Sequence, residues 1–374
     1  MIPPTRNLVH SARHAQIDAE ASPIARKCPP VGVKQVAQEL GVRYVLEGSV
    51  RKAGNRVRIT GQLIDTTTGA HIWADRFDGA LDDIFDLQDQ VASNVAGAIE
   101  PKLRQSEIAR ASRKPTPSLD AYDLYLRALA QLHRYTEGSL GEAVEFLRQA
   151  LAIDPSYAPA AALVAWCRWL QRVQGWGPLS DEDIGEACGL ARQALEAGRD
   201  DPDTIWQAAF ALFFFAGETA LARAVLDRAL ILNPNAATAC MAKGSFHVLR
   251  SRPDAAIEAL DRALRLSPFD PMSYFNASGF AGAHLVARRF EQAVEWAERS
   301  LRDQPRHVTA MRVKIVANAH LGRLDEARAE LGRLLAIDPA LTIARYRALL
   351  GPSTAPEFLD LAVSGLCLAG LPEK

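Results

Sequence analysis

The chain of 374 residues is poor in cysteine, and what it has forms no pattern. Cys28, Cys167, Cys188, Cys240 and Cys367 are scattered, odd in number and never spaced as CxxC. This excludes a disulfide frame or zinc site and predicts small apolar core residues in a reducing compartment, the cytoplasm. Charge of one sign is also missing: 43 basic residues face 44 acidic ones, a net charge of −1. Without a basic arm or an acidic tail, nucleic acid is not an expected partner. No apolar run approaches the ~18 residues a membrane span needs. The longest candidate, Ile205–Gly217 ("IWQAAFALFFFAG"), is short and ends at Glu218, so no membrane partner is expected. Residues 1–32 lack the apolar core of a signal peptide, are polar and proline-flanked, and are expected to be disordered.

Catalytic signatures are absent as well. There is no GxxxxGK[ST] loop, no HExxH, no GxSxG, and no GxGxxG after a strand. Of the eight histidines only His10 and His14 are spaced i, i+4, and both lie in the segment expected to be disordered. Asp75, Asp78, Asp82, Asp83 and Asp86 form an acidic cluster without the glycine-pivoted loop of a calcium site. It reads as a polar turn and helix start. Arg51, Lys52, Arg56 and Arg58 make a basic hairpin without interleaved aromatics, which reads as a solvated strand face. No catalytic, metal or cofactor residue is assigned, and no cofactor is expected.

What the chain does have is a recurring phrase. "RQALAIDP", "DRALILNP", "DRALRLSP", "ERSLRDQP" and "GRLLAIDP" end at Pro155, Pro234, Pro268, Pro305 and Pro339, with a degenerate copy ending at Pro202. Successive prolines are 47, 32, 34, 37 and 34 residues apart. Inside the unit Ala237–Asp270, Gly244 falls in a first helix, and Ala256, Leu260 and Ala263 in a second. Small side chains let two helix axes approach, and the proline stops the second helix because it cannot continue the hydrogen-bond ladder. Trp206, Gly217, Ala222, Leu226 and Ala229 repeat the theme, as do Gly322, Leu324, Ala327 and Leu331. The 47-residue interval holds "LQRVQGWGPLSDEDIG", a lengthened turn between the helices of the second unit. A period near ~34 with these residues resembles the tetratricopeptide repeat, a helix–turn–helix unit. The resemblance covers residues 119–345, about six units, and implies an α-solenoid with a concave groove. Residues 346–374, with "PEFLDLAVSGLCLAGL", are expected to be a closing helix and tail.

Ahead of the repeats stands the one β-rich stretch. "VKQVAQEL", Val33–Leu40, has helical spacing and ends at Gly41. "RYVLEGSVRK", "RVRITGQLID" and "AHIWADRFDG" then read as three antiparallel strands; Val57, Ile59 and Leu63 alternate with Arg56, Arg58, Thr60 and Gln62. An amphipathic helix is expected from Ile84 to Ala111, and "RKPTPS", residues 113–118, is a linker. Residues 33–112 resemble the second half of the TolB-like domain. In that family the domain opens with an "LPF"-type strand, a helix and another strand, for which residues 1–32 offer at best "SPIARK" as a remnant. The α/β domain is therefore expected to be incomplete, with one strand edge unpaired. The fold class is mainly α: a tetratricopeptide-repeat solenoid preceded by a small α/β domain of three antiparallel strands.

The resemblance implies a role. TolB-like plus repeat modules accompany class III adenylate or guanylate cyclases, or winged-helix regulators, in bacterial signalling proteins. The leading expectation is a non-catalytic scaffold binding a protein or peptide segment, or a second copy of itself. A truncated cyclase fragment and a remnant of a winged-helix transcriptional regulator are the rival readings. By repeat position, the groove is assigned Gln207, Phe214, Met241, Ser245, Phe275 and Arg312. This mixed, largely uncharged row predicts an apolar or amphipathic ligand segment, with binding insensitive to salt. Phe213, Phe214 and Phe215 span about 200° of a helix and cannot all enter one core stripe; packing between neighbouring repeats is the expected role, and an aromatic facing the groove to hold a peptide is the alternative.

Overall fold

A computed structural model describes residues 8–10, 42–80, 91, 95, 99, 102–109, 111, 120–267, 270 and 272–374. Two compact units divide the chain, Met1–Ser106 and Glu107–Lys374. The helix expected at Val33–Leu40, the linker at 113–118 and Asp82, Asp83 and Asp86 of the acidic cluster lie outside the described residues.

In the first unit β1 (Leu8–His10), β2 (Tyr44–Ala53), β3 (Arg56–Asp65) and β4 (His71–Ala80) form one sheet in the order β1-β2-β3-β4. The three expected strands pair antiparallel. Gly54, at φ 60°, opens the two-residue β2–β3 turn, where a primed hairpin turn needs positive φ. Arg51 sits opposite Arg58, a like-charge pairing that costs stability, and Arg58 turns instead to Asp78 on β4 at 2.6 Å. The basic hairpin is thus partly neutralised within the sheet. Val57 and Leu63 are buried, but the alternation fails at a bulge between Leu63 and Ile64, after which Ile64 and Asp65 are buried too. Asp65 accepts from Arg43 at 2.9 Å and from the Thr67 amide at 2.9 Å. Burial pushes its carboxyl upward, but these donors outweigh it and hold the carboxyl below its usual range. Val91, Val95, Ile99 and Leu103, at helical four-residue spacing, cover one face over Val57, Phe77, Tyr44 and Leu63.

One expectation needs correction. Residues 8–10 fall in the segment expected to be disordered, yet they are a strand parallel to β2, with Leu8 opposite Tyr44 and His10 opposite Leu46. The outer edge of β2 is therefore covered from Tyr44 to Leu46 by the chain itself.

The second unit holds six antiparallel helix pairs among the described residues. They are α1/α2 (Ala121–Arg134, Glu137–Ile153), α3/α4 (Ala158–Gln174, Asp181–Ala197) and α5/α6 (Pro202–Ala216, Thr219–Leu232). Then follow α7/α8 (Ala237–Leu249, Pro253–Leu266), α9/α10 (Ser273–Val286, Phe290–Asp303) and α11/α12 (Val308–His320, Leu324–Ile337). A short α13 (Ile343–Leu349) precedes α14 (Pro356–Ala369). Ala143, Ala222, Ala256, Ala293 and Ala327 occupy one position of the second helices and are wholly buried. Leu260 is wedged between helices: a Cβ on Gly244 would stand 2.5 Å from its Cγ, and one on Gly279 would stand 2.7 Å from its Cδ2. Pro155, Pro234, Pro305 and Pro339 each take the second position of a turn made the same way four times. Tyr157, Ala236, His307 and Leu341 donate their amides to Asp154, Asn233, Gln304 and Asp338 at 3.0–3.2 Å.

The lengthened turn of the second unit runs from Gly175 to Ser180, and it brings the buried Trp176 edge-on to Tyr135 at 5.1 Å. The closing helix, α14, lies along α11 so tightly that a Cβ on Gly365 would meet Val316 Cγ1 at 2.6 Å. Pro372 and Glu373 carbonyls accept the amides of Ile343 and Ala344, which ties the tail to the start of α13.

Candidate binding groove

The first helices of successive pairs share a concave face, and one partly enclosed pocket forms on it. Its cavity has a volume of about 130 Å³. Trp166 and Trp169 of α3 stack at 4.3 Å and meet Phe210 of α5 at 5.8 and 5.2 Å. Phe214, Met241, Ser245, Phe275 and Arg312 all line the same pocket. They lie on α5, α7, α9 and α11, so five of the six residues assigned by repeat position are brought together. Gln207 is buried on α5 but does not line the pocket. The three phenylalanines divide their directions. Phe213 packs on Phe246 of the next pair at 5.0 Å, Phe214 faces the pocket near Trp169 at 6.2 Å, and the Arg172 guanidinium lies 5.8 Å from the Phe215 ring.

The array curls until distant pairs meet. Tyr135, after α1, touches the rings of Tyr274, Phe275 and His307 at 5.1, 5.8 and 5.8 Å. Val308 donates its amide to Gln174 Oε1 at 3.1 Å, and Arg312 Nη1 donates to the Val173 carbonyl at 2.8 Å. These contacts join the second pair to the sixth across more than a hundred residues of sequence.

The chain's own C-terminal segment then crosses the groove. The Ala355 amide donates to the Leu249 carbonyl at 2.8 Å, Arg250 to the Ser353 carbonyl at 2.6 Å, and Thr219 to the Ser353 hydroxyl at 2.8 Å. Arg172 donates to the Ala348 carbonyl. Gly351 lies so near α5 that a Cβ there would fall 1.9 Å from the Phe214 carbonyl oxygen. Tyr346, Leu350 and Phe358 join the pocket wall from this side. Sequence reasoning did not find this strap, because nothing local marks residues 345–355 as partners of helices a hundred positions away.

Two buried polar residues were also missed, His307 of the pocket wall and its partner Ser300. His307 is wholly buried, at the place where other units carry Tyr157, Ala236 and Leu341. Ser300 stands where alanine recurs at 150, 229 and 263. The Ser300 hydroxyl donates to the Tyr274 carbonyl at 2.8 Å, so its oxygen takes the proton of His307 Nδ1 at 2.9 Å. That fixes the Nδ1–H tautomer and leaves Nε2 as a lone-pair acceptor without a partner. Burial, with Arg312 nearby, pulls the imidazole down to about 3, so it is neutral at physiological pH. Polar side chains interrupting an otherwise apolar repeat position were the available signal. Among the described residues no group of three metal-ligating side chains occurs, and no helix is long and apolar enough to cross a membrane.

The helix pairs and their shared concave face define a helical-repeat solenoid. Its unit is the tetratricopeptide repeat: residues 126–157, 208–271 and 279–341 match that family. Among curated proteins the chain is 37% identical over 194 residues to "Putative adenylate cyclase 3" of Rhizobium meliloti (strain 1021), covering 52% of this chain and 33% of that protein. It is 32% identical over 103 residues to the Homo sapiens "FK506-binding protein-like", covering 26% of this chain and 30% of that one. The chain thus spans about a third of the length of these relatives. Of solved structures, the anaphase-promoting complex hetero-tetramer Cut9–Hcn1 is 15% identical with a TM-score of 0.48, covering 71% of this chain and 48% of that one. YrrB, described as a tetratricopeptide-repeat protein with an unusual peptide-binding site, is 22% identical with a TM-score of 0.31, covering 52% of this chain and 92% of that one.

Proposed function

We propose that this chain is a non-catalytic scaffold in a bacterial signalling protein of the adenylate-cyclase kind, and that its concave face holds a segment of a protein partner. The observation that carries this reading is the strap itself. Residues 345–355, the end of α13 and the turn after it, already lie in the groove as a bound segment would, through one main-chain hydrogen bond, side-chain bonds from Arg172, Thr219 and Arg250, and apolar contacts. Phe214, Met241, Ser245, Phe275 and Arg312 form the wall against which a partner segment packs, either beside the strap or in its place. The similarity to the Rhizobium protein supports the signalling context, and a TolB-like assignment of the N-terminal sheet agrees with it. In this reading the chain acts in the cytoplasm and performs no cyclisation.

The test is site-specific photo-crosslinking in the native cell, with benzoylphenylalanine in place of half-buried Met241. The expected result is a defined protein adduct that disappears when Ser245→Arg blocks the groove. Adducts unchanged by that variant, or none, would overturn the reading, as would ATP or GTP cyclisation by the purified chain.

A further inference from the structure

A buried cation stands in the wall of the aromatic pocket. Arg312 is 7% exposed, and among the described residues no carboxylate is in direct contact with its guanidinium; buried Asp338, whose charge it feels, is paired with Arg345 at 3.5 Å. One of its nitrogens, Nη1, is used on the Val173 carbonyl; Nε and Nη2 have no hydrogen-bond partner. Its guanidinium sits 5.6 Å from the ring of Tyr346, which is roof rather than counter-charge. Removing a charge from water without pairing it is among the costliest arrangements a protein can hold. Nε and Nη2 lie on one edge of the planar group, the fork that takes a carboxylate through two parallel hydrogen bonds. The surroundings are apolar, and two further wall atoms are unpartnered: the donor Trp169 Nε1 and the acceptor His307 Nε2.

We propose that this pocket binds a small organic monocarboxylate with an apolar body: the carboxylate on the Nε/Nη2 edge of Arg312, the body among Trp166, Trp169, Phe210 and Phe214. His307 Nε2 accepts a hydroxyl from the body where one is present. The ligand is a small molecule rather than a peptide end because the pocket is roofed. Tyr346, Leu350 and Phe358 close it from the strap side, and the strap is held by hydrogen bonds to α3, α5–α6 and α7. By joining α11 to the walls on α3 and α5, such a ligand stabilises the curled array. This inference draws on the same wall as the partner-segment reading, through Phe214 and Arg312, so ligand and segment exclude one another there; acid binding tests the one and the crosslink at Met241 the other.

The test uses the full chain and two probes of one shape, 2-naphthoate and its neutral amide, followed by tryptophan fluorescence and calorimetry. Saturable binding of the acid is expected, about tenfold or more tighter than the amide, as for a hydrogen bond to a charged group. Arg312→Met should abolish that preference, so that acid and amide bind about equally, with circular dichroism checking that the helical array is retained. Hydroxynaphthoate should bind more tightly than naphthoate, with the gain lost in His307→Leu. Equal affinity for acid and amide in the unmodified chain overturns the proposal without need of any variant, as does the absence of saturable binding. Tighter binding of a hydrophobic peptide with a free C-terminus than of every small acid would assign the site to a peptide end and overturn it too.

Discussion

Replacing Gly351 by valine should release the strap. A Cβ at this position falls 1.9 Å from the Phe214 carbonyl oxygen and 2.9 Å from its carbon, against ordinary contacts of 3.4 Å or more. Both partners are backbone, so neither can swing aside, and the strap must move by more than an ångström. That movement breaks the hydrogen bonds of Ala355, Ser353 and Ala348 with Leu249, Arg250, Thr219 and Arg172. At about 1 kcal/mol net each, the loss is about 2–4 kcal/mol. Urea unfolding followed by circular dichroism should show a lower midpoint, and trypsin should cut after exposed Arg347 in the variant before it does so in the unmodified chain. Gly332→Ala is the control: it lies on the exposed side of α12 with nothing within 4 Å, and should gain about 1 kcal/mol from helix propensity. If Gly351→Val leaves both the midpoint and the cleavage pattern unchanged, the strap is not docked as described.

Three more outcomes are expected. Gly244→Ala drives a Cβ into wholly buried Leu260 and should cost about 1–3 kcal/mol, and Leu260→Ala about 2–5 kcal/mol, but the double variant should lose less than the two summed, by urea midpoints. His307 is held neutral, with its value lowered from 6.5 to about 3, so the unfolded chain binds the extra proton between those values. Its contribution to stability is complete above pH 6.5 and falls away toward pH 3, a loss of about 2 kcal/mol at pH 5 that should be missing in His307→Leu. A fragment spanning 33–112 lacks β1 and leaves the Tyr44–Leu46 edge open, so gel filtration should find it more oligomeric than 1–112, while 119–374 should be monomeric and helical.

The helix pairs were legible because their causes are local and repeated. Proline follows every second helix but α4, whose Pro202 instead opens α5, and Ala256, Leu260 and Gly244 recur where two axes approach. The same periodicity placed Phe214, Met241, Ser245, Phe275 and Arg312 on one face, since equivalent positions of stacked units point the same way. Gln207 escaped the rule because it lies about two turns ahead of Phe214 on α5, where neighbouring helices bury it outside the pocket. The strap was not legible: Arg172 and Ala348 are 176 residues apart, and no sequence period encodes their contact. Nor was the role of Ser300 and His307, which depends on a three-member chain through the Tyr274 carbonyl. β1 was missed because three residues without a flanking pattern carry too little signal to separate a strand from coil.

The most direct measurement of the central claim, that the concave face holds a peptide segment, is binding of a labelled peptide of residues 345–358 to the full chain by fluorescence anisotropy. Gly351→Val, with its own strap displaced, should bind the peptide saturably, with little change between about 50 and about 500 mM salt because the contacts are apolar and to neutral carbonyls. The unmodified chain, whose strap holds the site at the high effective concentration of a tethered segment, should not bind it. No binding to the variant despite cleavage at Arg347, or equal binding to both chains, would contradict the account.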